Sequence, residues 1–201
     1  MSDRAFGSVA VWLREFLQTA FRMVPWPTEP GLRVVGQPGE SSPVIVTGNY
    51  DLTVRRVLRA LEGLDAEVVE AADCADGMSA SLRAGLAAVS EEADAVMVVL
   101  ADMPEIGADV MGKLIAAFDA GEGREICRAV AADGTPGHPV LFGRRFFEAL
   151  AGLTGDRGAR EVVRAAGEFV VDVPTNGKAA ITDLDTPEAW AAWRALSDRR
   201  W

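Results

Sequence analysis

The sequence is short of the side chains on which many enzymes depend. His138 is its only histidine, so a two-histidine metal centre is excluded, and any Ser-His-Asp or Cys-His arrangement would have to use this one ring. The two cysteines, Cys74 and Cys127, lie far apart and in no CxxC pattern. That spacing suits neither a zinc site nor a disulfide framework, and predicts free thiols in a reducing, cytoplasmic setting. No apolar run is long enough to span a bilayer. Arg14 and Glu15 interrupt the apolar N-terminal stretch, which does not suit a signal peptide. Positive charge is also in deficit. A formal net charge of −10 argues against nucleic acid or an anionic membrane as partner. A phosphate-rich substrate would need a metal ion or a local arginine cluster to offset the repulsion. There is no internal repeat and no low-complexity tract.

What is present is apolar residue in quantity, 49% of a 201-residue chain, enough for one buried core and one domain over residues 1–201. The chain is organised around residues 93–106, ADAVMVVLADMPEI. The run Ala95–Leu100 is short, unbroken and bounded by acidic residues and a proline, which predicts a central strand buried on both faces. Asp102 follows it directly. Ligands of open α/β sheets gather beyond the carboxyl ends of strands, so this carboxylate is placed to meet one; it could equally cap the helix beginning near Gly107.

Around this strand the pattern alternates. Apolar spacing at Val9, Leu13, Phe16, Leu17, Ala20, Phe21 and Val24 predicts a helix over 9–24 with Ser8 as N-cap, ended by Pro25, Pro27 and Pro30. Residues 32–35 can form a short strand, and 36–43 a Gly/Pro/Ser loop. A buried strand starts at Val44. A helix follows from Asp51 or Thr53, then a strand over 66–69 and a helix carrying Met78, Leu82, Leu86 and Val89. After the central strand comes a helix with Val110, Leu114, Ile115 and Phe118. This βαβαβα order predicts an α/β fold with a mostly parallel sheet. The link ADGTPG between strands over 126–131 and 138–142 predicts an antiparallel hairpin. Helices over 144–153 and 156–166 follow, then strands over 169–173 and 180–184. A last helix has Thr186 as N-cap and Pro187 in its first turn.

Several clusters could carry chemistry. Asp183 and Asp185 would share one face of the late strand; Asp102 and one of them could share a divalent cation, or the two could serve as turn and cap residues before Pro187. The run 76–81, DGMSAS, opens a helix whose free N–H groups suit an anion, as many ordinary helices do. His138 in GHP fits a structural or a functional role. Asp156, Arg157 and Arg160 in GDRGAR could recognise an anion or form an ordinary cap. Trp190 and Trp193 fit core packing.

In order, DGMSASLRAGL (76–86), VVLADMPEI (98–106), GHPVLF (137–142), LTGDRGAR (153–160) and DLDTPEAW (183–190) resemble the MobA-like nucleotidyltransferases, in the branch that includes molybdenum cofactor cytidylyltransferase. The resemblance covers residues 44–197 and leaves 1–43 as a divergent N-terminal segment. It implies a Rossmann-like, three-layer nucleotidyltransferase fold. It also implies Mg²⁺-dependent transfer of a nucleotide, CMP from CTP, to a molybdopterin-type cofactor destined for a molybdoenzyme apoprotein. Asp102 and Asp185 would be the catalytic metal ligands. Gly77, Met78, Ser79, Ser81 and Ala101 would lie toward the nucleotide, and His138, Asp156, Arg157 and Arg160 toward the acceptor. The family's opening segment, a strand and a glycine-rich loop resembling LAAGxSxRMGxxK, has no counterpart. Arg22-Met23 echoes its RM pair, yet no glycine-rich loop precedes it and no lysine occurs before Lys113. Three readings stay open: lost triphosphate binding, a replaced N-terminus, or a reading-frame error. Two other functions compete with the enzyme: a non-catalytic protein that binds and delivers the cofactor, and a sugar-nucleotide pyrophosphorylase.

Overall fold

A computed structural model of the chain describes residues 33–36, 43–48, 67–73, 75, 77–89, 93–100, 102–155 and 158–197. The expected helix over 9–24 with its cap Ser8, the helix expected to start at Asp51 or Thr53, Arg22, Cys74, Ala101, Asp156 and Arg157 lie outside the described residues.

Strands β1 (Arg33–Gly36), β2 (Pro43–Gly48), β3 (Glu67–Ala71), β4 (Ala95–Leu100), β5 (Ile126–Val130), β6 (Pro136–Gly143) and β7 (Val170–Pro174) form one seven-stranded sheet in the order β3-β2-β1-β4-β6-β5-β7. The run Ala95–Leu100 therefore occupies the middle, as its unbroken apolar character predicts. Strands β2, β3, β5 and β7 run in the direction of β4, while β1 and β6 run against it. These strands share one direction with β4, as the βαβ pattern predicts, although four of the six neighbouring pairs are antiparallel and two parallel. Link length accounts for the two reversed strands. Only residues 37–42 join β1 to β2, and only 131–135 join β5 to β6. A parallel crossover needs roughly a dozen residues or more, so each link permits only an antiparallel neighbour.

Two apolar layers sandwich β4. On one face Ala95, Met97 and Val99 pack with Met103, Ile106 and helix α2 (Ala108–Ala117), through Val110, Met111 and the fully buried Leu114. α1 (Met78–Ala87) contributes Leu82 to the opposite face, where Val96 and Val98 lie. That layer also takes Leu150 of α3 (Phe147–Ala151) and Val162, Val163 and Ala166 of α4 (Arg160–Ala166). The helix expected over 144–153 is divided into a 3₁₀ turn, Arg144–Phe146, and α3; that expected over 156–166 becomes α4, starting at Arg160.

The late strand expected over 180–184 does not form. Residues Ala179–Ile181 make a 3₁₀ turn, and 182–185 are irregular. The segment takes its hydrogen bonds locally: Ile181 N–H donates to Lys178 O at 2.9 Å, and the Thr182 hydroxyl to the same carbonyl at 2.9 Å. A Thr hydroxyl bonded back onto the chain competes with ladder formation. Helix α5 (Pro187–Ser197) closes the chain. Thr186 caps it as expected, its hydroxyl accepting Ala189 N–H at 3.1 Å.

Candidate active site

The site is built at the carboxyl end of β4. A turn follows the strand, with Met103 N–H donating to Leu100 O and Ile106 N–H to Met103 O, and Pro104 within it. Asp102 is half-buried there. The capping alternative finds no support in α2, whose N-cap is Gly107 with no side-chain cap.

One backbone bond draws the DLD motif to this point: Leu184 N–H donates to Asp102 O at 2.9 Å. Leu184 is buried and its two acidic neighbours, Asp183 and Asp185, are exposed. The alternation expected of a strand thus survives without a ladder. The Leu184 carbonyl accepts the indole N–H of Trp190 at 2.7 Å, and Trp190 is wholly buried. The tryptophan therefore anchors the acidic segment as well as packing edge-to-face on Trp193, with ring centroids 6.0 Å apart. A buried indole needs such an acceptor.

The GHP motif reaches the same end of the sheet. His138, half-buried, lies two residues beyond the last β4–β6 pair, Val98↔Val140. Gly137 presses against the turn that leads to the aspartates. A Cβ there would sit 1.8 Å from Ala180 O and 3.0 Å from Ile181 Cγ2. Only glycine permits this backbone approach.

The GMSAS and LTGDRGAR motifs meet each other at the start of α1, beyond the carboxyl end of β3. Gly77, at φ 95°, is the N-cap of α1. Met78 is exposed, while Ser79 and Ser81 are buried. Ser79 N–H donates to Gly155 O at 3.2 Å, and the Ser79 hydroxyl accepts from Arg83 at 3.1 Å. Arg160 is exposed at the first position of α4.

Burial and local bonds set the electrostatics of the hairpin beside the site. Asp133, in its turn, is held below the ordinary carboxylate range by hydrogen bonds from Thr135, whose N–H lies 2.9 Å from Oδ1. Burial pushes the Cys127 thiol, in β5, up to about 11 against the opposing charge of Arg124.

Among the described residues, no group of three or more His, Cys, Asp or Glu side chains is placed to hold a metal. A pair of carboxylates such as Asp102 and Asp185 would be sparse, all-oxygen ligation. That donor set fits a hard divalent cation that keeps water and substrate phosphates in its shell.

The sequence reading missed three residues here: Gly137 as a steric requirement, Trp190 as a hydrogen-bond donor, and Arg83. The last alone carried a local signal, lying four residues after Ser79 on the same helical face.

The purine catabolism protein PucB of Bacillus subtilis (strain 168) is 32% identical over 122 residues, 59% of this chain and 56% of that protein. The chain thus spans little more than half of that relative's length. Among solved structures, Rv0371c from Mycobacterium tuberculosis H37Rv superposes with a TM-score of 0.62 at 26% identity, over 92% of this chain and 83% of that one. The same protein's complex with manganese gives 0.59 at 28% identity, over 92% and 84%. The 4-diphosphocytidyl-2C-methyl-D-erythritol synthase of Anaerococcus prevotii DSM 20548 gives 0.57 at 13% identity, over 77% of this chain and 78% of that one, which bears on the fold alone. Residues 32–170 match the MobA-like NTP transferase domain, and by that match the chain belongs to this family.

Proposed function

We propose that the protein is a metal-dependent nucleotidyltransferase that moves a nucleotidyl group from a nucleoside triphosphate to a phosphorylated acceptor. The observation that carries this reading is the bond from Leu184 N–H to Asp102 O, because it brings two acidic motifs, distant in sequence, to the carboxyl end of the central strand. Asp102 and Asp185 would hold a divalent cation, Mg²⁺ or Mn²⁺. When bound, that cation neutralises charge on the α-phosphate and on the leaving pyrophosphate. The acceptor phosphate oxygen attacks the α-phosphorus in line, and the bond to the bridging oxygen breaks to release pyrophosphate. No protein nucleophile is required, so the chain's own task is to position and to balance charge. The start of α1, Gly77 to Ser81, would face the nucleotide. His138 and Arg160, with Asp156 and Arg157, would face the acceptor.

The finer reading is CTP as donor and a molybdopterin-type cofactor as acceptor. It rests on the GHP and GDRGAR motifs. A second reading, a binding and delivery protein without turnover, is favoured by the missing lysine, none occurring before Lys113, in a chain where no glycine-rich loop precedes Arg22-Met23. Each lost charge-assisted contact to a triphosphate costs about 1.5–3 kcal/mol, roughly 10- to 150-fold in affinity. Calorimetry with CTP, alone and with Mg²⁺ or Mn²⁺, separates the readings. Binding weaker than micromolar is expected for the chain as it stands, with molybdopterin binding retained. Micromolar or tighter CTP binding would overturn the impaired reading and restore the full enzyme.

A further inference from the structure

Three contacts join the first turn of α1 to the loop before α4. Nη1 of Arg83 donates both to Ser79 Oγ, at 3.1 Å, and to the Leu153 carbonyl, at 2.6 Å. Ser79 N–H donates to Gly155 O at 3.2 Å. Gly158 abuts Met78, so that a Cβ there would lie 3.1 Å from Met78 Sδ. Ser79 and Leu153 are both buried. A guanidinium bonded to two buried acceptors is hard to replace, since removing it strands a hydroxyl and a carbonyl away from water. The two segments so joined are those assigned above to the two substrates: GMSAS to the nucleotide and LTGDRGAR to the acceptor.

We infer that Arg83 is a positioning residue that makes the nucleotide-side helix start and the acceptor-side loop one unit, so that a nucleotide bound at the first orders the second. The role rests on the nucleotidyltransferase reading. Arg83 acts through Ser79 and Leu153 rather than on the reacting atoms. Its two acceptors lie 74 residues apart, and the longer bond stays within one helix while the shorter reaches across to the loop. The start of the loop is therefore tied to α1 through this side chain. The Ser79–Gly155 bond and the packing of Gly158 on Met78 hold the loop farther along, so Arg83 is the side-chain tie at its start.

The test is amide hydrogen exchange on the full chain, with CTP, GTP, ATP and UTP each supplied with Mn²⁺, for the wild type, Arg83→Met and Arg83→Lys. In the wild type, the triphosphate that binds is expected to slow exchange both in the peptide over 77–87 and in that over 150–155. In Arg83→Met the first peptide should still respond. The second should exchange about tenfold faster and no longer respond, consistent with loss of one buried hydrogen bond. Arg83→Lys keeps a donor on a shorter stem, so it should recover part of the coupling, and it serves alone should the methionine variant fail to fold. Retained coupling in the variants overturns the inference, as does a wild-type loop that ignores a bound triphosphate. No response to any triphosphate at 77–87 in the wild type counts instead against the nucleotide reading, and removes this role with it.

Discussion

At the amino ends of β5 and β7 charged side chains pair with one another. At the carboxyl end of β4 the acidic segment is held by backbone and indole bonds. Glu125, only 4% exposed, sits 2.8 Å from Arg145, whose guanidinium lies over the Phe169 ring at 4.5 Å. Nearby, Arg124 pairs with both Asp119 and Glu122. In the acidic segment, by contrast, the fixing bonds come from Leu184 N–H and the Trp190 indole, and Asp183 and Asp185 stay exposed. The same residue types thus do opposite work. Where acids are matched with bases they clamp the sheet; where neutral groups hold the chain, carboxylates are left exposed to solvent.

The largest expected effect is at Asp102. Asp102→Asn keeps the shape and removes the charge, so pyrophosphate release should fall by roughly 10²-fold or more. Thermal unfolding should report a stability change within about 1 kcal/mol, because the fixing bond uses the backbone and not the side chain. Equal losses of activity and stability would place Asp102 with the clamping acids at the other end.

Next is Gly137→Ala. The added methyl would meet the Ala180 carbonyl, so the turn ahead of the aspartates must shift. Overpacking of this kind costs about 1–3 kcal/mol. A denaturant midpoint should fall accordingly, and affinity for Mn²⁺ should fall with it as Asp183 and Asp185 move. Unchanged metal affinity would mean that the acidic segment is held independently of the GHP strand.

Glu125→Ala should do the reverse of Asp102→Asn. Removing one partner of a well-buried pair can cost about 3–5 kcal/mol. Arg145 is half-exposed, with a side chain 56% accessible, and can rehydrate, so about 1–2 kcal/mol is expected here. Chemical denaturation gives the number. Triphosphate affinity should not change, and a change would blur the division between the two ends.

Much of this arrangement is legible from the sequence, and the limit is instructive. Ala95–Leu100 announces a central strand because nothing polar interrupts it, and Asp102 inherits its place from that strand. Thr186-Pro187 announces a helix start through local chemistry, and the cap is observed. The failures concern contacts between distant segments. Residues 180–184 carry strand-like alternation, but Gly137 and Asp102 bind them as a turn and an extended tail. No periodicity within five residues can encode a carbonyl pressed against a glycine more than forty positions earlier. The direction of β1 was legible in principle from the shortness of 37–42, although helical alternation elsewhere suggests parallel neighbours. Arg83 was legible only as a helix residue, because its second acceptor is 70 residues away.

The smallest expected effect is at Cys127, which takes part in neither set of contacts. It is the second residue of β5, fully buried, opposite Leu141 on β6 and Val171 on β7. Burial raises its thiol from the ordinary 9.0 to about 11. The raised value means that the folded chain keeps the proton after the unfolded chain has lost it. The associated stability is fully present below pH 9 and is lost as pH rises toward 11, amounting to about 1 kcal/mol by pH 9.5. Cys127→Ala should remove this part of the alkaline slope in denaturant titrations while leaving the midpoint slope at pH 7 to 8 unaltered. At neutral pH the buried, protonated thiol should resist iodoacetamide in the native protein and react once the chain is unfolded, read peptide by peptide so that Cys74 is scored separately. Native alkylation of Cys127 at the rate of the unfolded chain would show that β5 opens, and would undo the assumption that both ends are held on one rigid frame.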